Sequence, residues 1–415
     1  MDTTQSPAVA PIPAHVPPEL VYHFDQVYAD NFDSDPFGTY ERVRAEAPPI
    51  FFSPVSFNSP TGVWYVTKPD DIRRTLQDSE YFTTTMGYGG ATGAMPRRMI
   101  PLELDPPDNR KYRVLLTPLF SPASMRRLES GIRETANELI DGFIARGSCD
   151  FAREFAAILP ATVFMALMGY PLSRKTEFLG WEDTFFHNMD FEARIAAGKR
   201  IEAMNFEMIA EKRAHPDDGL ISRLASLSFD DGTPVPDDDI QDMAWLLFIA
   251  GLDTVSSGLS HSFRYLAEHP DKKQELIEDR SLIPQAVEEL LRINAWVNPP
   301  RTVRQDTVLG GVQLKRGDEI MQLHTLANRD EELFPHPLEV DFHRETNPHT
   351  AFGGGLHRCV GSHLARQELQ IAINVWLDRA PDFALPAAER DGLRYNTMGM
   401  FSLHHLPLKW TPPSG

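Results

Sequence analysis

Cysteine is nearly absent: the 415 residues hold two, Cys149 and Cys359. That excludes a disulfide framework beyond one bridge and fits a reducing compartment such as the cytoplasm. Positive charge is also in short supply. Forty Lys and Arg face 59 Asp and Glu, a net charge of −19, which argues against nucleic acid or an anionic membrane as partner. Residues 1–20 lack the basic start and apolar core of a signal peptide. No Gly/Ser-rich or charged linker and no fixed-period repeat divides the chain. The expectation is therefore one domain over residues 1–415, with residues 1–20 as an extended, proline-rich lead-in.

Long apolar runs are few as well. Phe155–Leu172 is 18 residues without a charge, close to the length of a membrane span. Pro160 is expected to start a helix in its middle and Gly169-Tyr170-Pro171 to stop it. About nine helical residues, roughly 14 Å, cannot cross a bilayer. The segment reads as a buried core helix, and no membrane association is expected.

What remains is mostly helical periodicity. Helices are expected over Asp71–Ser79, Arg110–Leu116, a stretch capped by Ser124, Glu192–Arg213, Gly219–Leu227 and Ser281–Ile293. Asp237–Glu268 is a pattern of about 32 residues, interrupted by Gly251 and Gly258 and ended by His269-Pro270. Its apolar stretch Met243–Leu252 places it in the protein centre. Val308–Leu314 and Glu319–Leu323 alternate around Lys315-Arg316-Gly317-Asp318 and read as a β-hairpin. Pro335–Thr350 reads as an irregular meander, followed by a helix from Cys359 to about Arg379 and short C-terminal strands.

Cys359 stands in Phe352-Gly353-Gly354-Gly355-Leu356-His357-Arg358-Cys359-Val360-Gly361. A Phe-x-x-Gly-x-x-x-Cys-x-Gly frame arises by chance in about five of ten thousand chains of this composition. The glycines let backbone bend closely around a flat ligand and aim N–H groups at the sulfur. The positive end of the following helix favours thiolate over thiol. Such a thiolate suits a haem iron. Cys149, in Gly147-Ser148-Cys149-Asp150, reads as a bystander thiol.

Upstream, Ala250-Gly251-Leu252-Asp253-Thr254 lies halfway along the long helix. Small residues at 250 and 251 leave room for a flat cofactor and a diatomic ligand. Thr254 can turn its hydroxyl to the Ala250 carbonyl and loosen the helix, leaving an alcohol and a carboxylate beside a groove. Such an arrangement suits proton delivery to dioxygen without flooding the site with water. Glu289-Leu290-Leu291-Arg292 adds a Glu and Arg at i, i+3, by itself an ordinary helix pair.

On these motifs the chain resembles the cytochrome P450 family of haem-thiolate monooxygenases, from about Pro17 to Trp410. It is most similar to the soluble bacterial branch of the camphor-hydroxylating type. The resemblance implies a mainly α, triangular fold with small β-sheets, and haem b held between the long helix and the Cys359 loop. It implies Cys359 as iron ligand, Thr254 and Asp253 in proton delivery, and Phe352, Gly353, Gly361, Ala250 and Gly251 around the cofactor. Arg113, Arg301 and His357 fall at its propionate positions. Asn109 stands where many members have His, so one common propionate contact is absent. Glu289 and Arg292 are implied to form a structural network with Arg344.

Nothing in the chain resembles a flavin or nicotinamide site, since Gly353-Gly354-Gly355 leads into the cysteine loop and not into a phosphate-binding strand–helix unit. Electrons must come from another protein. The resemblance implies a [2Fe-2S] ferredoxin fed by an NAD(P)H-dependent reductase. Arg73, Arg74, Arg110, Lys111, Arg113, Arg358 and Arg366 are expected to form its basic docking patch, because local charge decides encounter where salt screens distant charge.

Around the substrate the resemblance places Tyr88, Leu102, Leu246, Ile249, Ala250, Val297, Pro299 and Met400. This apolar set implies a small hydrophobic substrate of the terpenoid or norisoprenoid class. Arg97 stands where the camphor-hydroxylating type has a tyrosine donor. An unpaired Arg in an apolar pocket is costly, so Arg97 is expected to point outward. Two other readings stay open: a haem-binding sensor or carrier without turnover, and a cysteine hydrolase using Cys359 and His357.

Overall fold

The computed structural model describes residues 9–57, 59–85, 97–188, 190–397 and 400–413. Eight helices frame the site: α1 (Pro69–Gln77), α2 (Asp108–Leu116), α3 (Ile158–Met168), α4 (Phe191–Ala214), α5 (Asp237–Gly251), α6 (Asp253–Glu268), α7 (Ile283–Asn294) and α8 (Ser362–Arg379). Most expected helices are present with ends shifted by one to three residues. Pro36–Glu46, Lys175–His187 and Pro270–Glu278 are helices that periodicity did not single out.

The long central pattern is two helices. Leu252 sits at φ −102°, ψ −75°, off helical values, and the ladder breaks there. Three aspartates, Asp237 to Asp239, occupy the first turn of α5, where they complement the helix dipole. Asp237–Glu268 is long and apolar enough to cross a membrane by composition, yet 72% of its apolar window is buried inside the protein. It is the core that the other elements wrap. Trp245 and Phe248 on α5 pack with Phe178 and Phe185, while Phe263 on α6 packs with Phe151 and Trp376 of α8.

The charge-free run over Phe155–Leu172 contains α3, which starts at Ile158 and not at Pro160. Eight of its 11 residues are buried, and Gly169 ends it at φ +81°. The expected cap Ser124 is displaced by Ser121, whose Oγ accepts from the Ser124 amide just before a proline at the first helical position. The longer helix then runs Glu129–Asp141.

Strands β1 (Ile50–Ser53), β2 (Val63–Val66), β3 (Phe82–Thr83), β4 (Pro300–Val303) and β7 (Glu319–Gln322) form one sheet in the order β1-β2-β7-β4-β3. The expected hairpin is corrected. β5 (Thr307–Leu309) pairs with β6 (Val312–Leu314), and β7 instead joins β2 and β4. Gly310 and Gly311, both at positive φ (52° and 83°), form a two-residue turn, which closes the hairpin before Lys315 is reached. β4 sets Arg301 opposite Ile320.

Cys149 lies on a short strand, Ser148–Asp150, paired with Pro407–Lys409. Its thiol is pushed up by burial and then by the Glu154 and Asp150 carboxylates, the reverse of a reactive cysteine. The Glu289 network is present. Arg292 is fully buried and forks onto Glu289 at 2.7 and 2.9 Å, and Arg344 reaches the same carboxylate at 2.9 Å. Arg292 also donates to the carbonyls of Asn328, Pro337 and Glu339, so the network pins the meander to α7.

Candidate active site

The cysteine loop is built from backbone geometry that favours glycine at two points. Gly353 and Gly355 sit at φ +64° and +62°. A Cβ on Gly355 would also lie 2.4 Å from the Leu76 carbonyl oxygen of α1. The loop is therefore pressed against α1, and it closes where the Cys359 amide donates to the Phe352 carbonyl at 2.9 Å. Cys359 itself is accessible, on a cavity of about 530 Å³ bordered by Arg113, Thr117, Phe120, Arg358 and Val360. Dense surrounding protein raises its thiol pKa. The Gly361 amide, Arg113, Arg358 and Arg366 pull the other way and stabilise a thiolate. Gly361 sits just before α8, so amide and helix end converge on the sulfur as expected.

The donor set suits a flat anionic ligand carrying a soft-ligated metal. Arg301 is 3% exposed, and its only hydrogen bond among the described residues goes to the Pro300 carbonyl. A buried guanidinium without a carboxylate is costly unless an anion completes it. Arg113, half-buried, likewise has no carboxylate partner among the described residues, and burial lowers its pKa. His357 hydrogen-bonds weakly to Thr84 and Asn109, both at 3.4 Å. Burial and then repulsion from Arg301 hold its ring down to about 4. Asn109 Oδ1, Asp105 Oδ1 and Thr302 Oγ1 are buried without partners among the described residues. These residues fit a haem with its propionates toward Arg113, Arg301 and His357.

On the central helix, Thr254 Oγ1 donates to the Ala250 carbonyl at 2.6 Å, the bond expected from the sequence. Ala250 is exposed and Thr254 half-buried, one turn apart on one face. Asp253 is buried at the start of α6. A Cβ on Gly251 would meet the Phe164 ring at 3.3 Å, so its small size admits the close approach of α3. Consecutive helical residues point about 100° apart, which separates positions 250 and 251.

The substrate-pocket candidates are half-buried side chains at the edges of two apolar clusters. Leu102, Leu246 and Ile249 border one, Val297 and Met400 the other, and Pro299 precedes β4. Ser257, one turn beyond Thr254, donates to the Met400 sulfur at 3.8 Å and ties that wall to α6. Tyr88 lies outside the described residues. Arg97 is committed elsewhere: it binds Asp242 at 2.7 Å, Asp238 at 3.2 Å and Glu202 at 3.4 Å, and lies over the Phe206 ring. All three guanidinium nitrogens of Arg97 are engaged by these carboxylates, which draws the group toward them.

The basic patch shrinks. Arg366 is taken by Glu288, Arg74 by the Val308 carbonyl and Thr307, and Arg73 and Lys111 by Asp70 and Asp108. Arg110 and Arg358 remain exposed without a carboxylate partner among the described residues, beside Arg113 and the exposed apolar Val114 and Leu356. His349 and Glu288 were not anticipated as part of the site. No local pattern signals them, because their contacts span 61 to 78 residues.

Residues 183–411 match the family model described as Cytochrome P450. A probable cytochrome P450 127A1 of Sinorhizobium fredii is 33% identical, the alignment covering 96% of this chain and 97% of that protein. A vitamin D(3) 25-hydroxylase of Pseudonocardia autotrophica is 31% identical over 94% of this chain and 97% of its own length. The crystal structure of CYP101J2 superposes with a TM-score of 0.86 at 28% identity, covering 97% of this chain and all of that one.

Proposed function

The chain belongs to the cytochrome P450 family, and from that premise we propose that it hydroxylates a small hydrophobic molecule of the terpenoid or norisoprenoid class, with Cys359 as iron ligand. Members are oxidoreductases that bind haem b through a cysteine thiolate. Haem bound there would supply oxygen activation, the chemistry by which dioxygen, two electrons and two protons yield a hydroxylated C–H bond and water. The rest falls to the polypeptide.

Cys359 takes the ligand role because Cys149 is buried in a strand with its thiol pushed up. Burial raises the Cys359 thiol pKa while the Gly361 amide and the nearby arginines favour the thiolate, and coordination to iron would complete the deprotonation and supply the donor that favours O–O cleavage. Arg113, Arg301 and His357 hold the propionates. Thr254 is the hydroxyl that hands on protons, and Asp253, buried beside it, gates their supply. The observation that carries the oxygenase reading is the Thr254 bond to Ala250 at the break in the central helix. A loosened turn with a hydroxyl facing the cofactor side serves proton delivery and has no use in a haem that merely senses. The half-buried apolar residues, with Arg97 tied up by three carboxylates, support a substrate with little polarity. The relative named as a vitamin D(3) 25-hydroxylase supports hydroxylation of an apolar skeleton.

Electrons come from a [2Fe-2S] ferredoxin with an NAD(P)H-dependent reductase, docking where Arg110, Arg113 and Arg358 surround Val114 and Leu356. The low cysteine count and negative charge suit a soluble cytoplasmic protein.

Thr254→Ala is expected to cut product formed per electron consumed by about tenfold or more, with haem content unchanged. Equal coupling in the variant would remove Thr254 from proton delivery, and a wild type that forms no product would favour the sensor reading. Titrating terpenoids into the ferric protein should move the iron from low to high spin at micromolar ligand. A panel without any shift, alongside a shift with long-chain fatty acids, would overturn the substrate class. Arg110→Glu should slow ferredoxin-driven turnover about fivefold to tenfold and flatten its salt dependence. An unchanged rate and salt slope would remove the docking assignment.

A further inference from the structure

Glu288 and Glu289 are neighbours on α7 but serve different partners. Glu289 faces Arg292, Arg344 and Asn347, the network that holds the meander. Glu288 faces α8 and the segment entering the cysteine loop. Its Oε1 accepts from Arg366 Nε at 2.6 Å and its Oε2 from the second guanidinium arm at 2.7 Å. The same Oε2 lies 3.0 Å from His349 Nε2. His349 Nδ1 accepts from the Ala351 amide at 3.2 Å, which assigns the ring proton to Nε2 as a donor to Glu288. Burial alone would raise the Glu288 carboxyl, but hydrogen bonds from Arg366 and His349 outweigh it and hold it at about 2.

Both partners converge on Phe352. Arg366 lays its guanidinium over the Phe352 ring, 4.4 Å from the centroid. His349, only 3% exposed, packs near that ring and fixes the backbone one residue before it. The Phe352 carbonyl in turn accepts the Cys359 amide at 2.9 Å. One carboxylate thus anchors Phe352 by ring and by backbone. A bidentate charge-assisted pair is geometrically stiff, so little freedom remains in this chain of contacts. Arg366 is also among the cations that stabilise negative charge on Cys359.

We propose that Glu288 is a positioning residue for the iron ligand: through Arg366 and His349 it fixes Phe352 under the Cys359 loop and offsets the positive charge felt by the thiolate, and so sets the reduction potential of the bound iron. This rests on Cys359 ligation alone and not on the substrate class. Reduction adds an electron, so positive charge near the sulfur favours the ferrous state. Removing the Glu288 charge leaves Arg366 unneutralised and raises the potential. Removing the Arg366 charge lowers it.

The test is spectroelectrochemical titration of the substrate-free holoenzyme. Glu288→Gln is expected to shift the ferrous-to-ferric ratio at a fixed potential upward by about threefold to tenfold, about 30–60 mV at 59 mV per tenfold for one electron. Arg366→Gln is expected to shift it downward by a similar factor, and the double variant to return near wild type. A brace without electronic effect would leave both potentials unchanged, and simple loosening of the loop would move both in one direction. Either result overturns the proposal. If Glu288→Gln does not load haem, Arg366→Gln decides alone: a fall supports the proposal, and an unchanged or raised potential overturns it. A wild-type protein without thiolate ligation would overturn the premise, which is distinguishable because its own spectrum reports it before any variant is compared.

Discussion

The structure depends on one backbone arrangement: the loop from Phe352 to Gly361 that presents the Cys359 sulfur. Two glycines in left-handed geometry turn the chain, the Cys359 amide closes onto the Phe352 carbonyl, and the Gly361 amide points at the sulfur. Apart from the sulfur itself, these contacts are made by backbone atoms. The loop can therefore be held in place from outside, by α1 at Leu76 and by the Arg366–Phe352 stack, without blocking the sulfur. Surrounding protein alone disfavours a bare thiolate here. Coordination to a metal, which deprotonates a thiol outright, resolves that conflict.

The central helix supplies the complementary surface. Its break at Leu252 leaves the Ala250 carbonyl to Thr254, and it separates a mostly buried α6 from an α5 whose side carries Leu246, Ile249 and Ala250. Arg97 locks the segment leading to Leu102 onto α4 and α5 through three carboxylates, so that segment and the two helices form one assembly. Arg301 and Arg113 wait with charge that no carboxylate of the described residues neutralises. Binding of an anionic cofactor and completion of the fold are coupled through these cations.

What the sequence made legible was local. The cysteine frame, the Thr254-to-Ala250 bond and the Glu289–Arg292 pair all act within ten residues, and each is found where the spacing places it. Helix existence was read well and helix ends less so: Ser121 took the cap from Ser124 because Pro122 follows it. What failed was direction and partnership. The close approach of Phe164 to Gly251 was not legible, because it depends on how α3 packs against the central helix. Alternation in Glu319–Leu323 was read correctly as strand but given the wrong partner, although the Gly310-Gly311 turn was in view. The seven basic residues were legible as residues, while the carboxylates that consume Arg73, Lys111 and Arg366, and the backbone that consumes Arg74, were not. Glu288 and His349 were invisible for the same reason, since their partners lie far away in the chain.

The central claim is that the sulfur of Cys359, as a thiolate, is the protein's bond to haem iron. The most direct measurement is the absorption spectrum of the dithionite-reduced, carbon-monoxide-treated protein, taken for the wild type, Cys149→Ala and Cys359→Ser. The account predicts the red-shifted Soret band of thiolate ligation in the first two and its loss in the third. A normal-position band in the wild type, or a red-shifted band that survives Cys359→Ser, would contradict it.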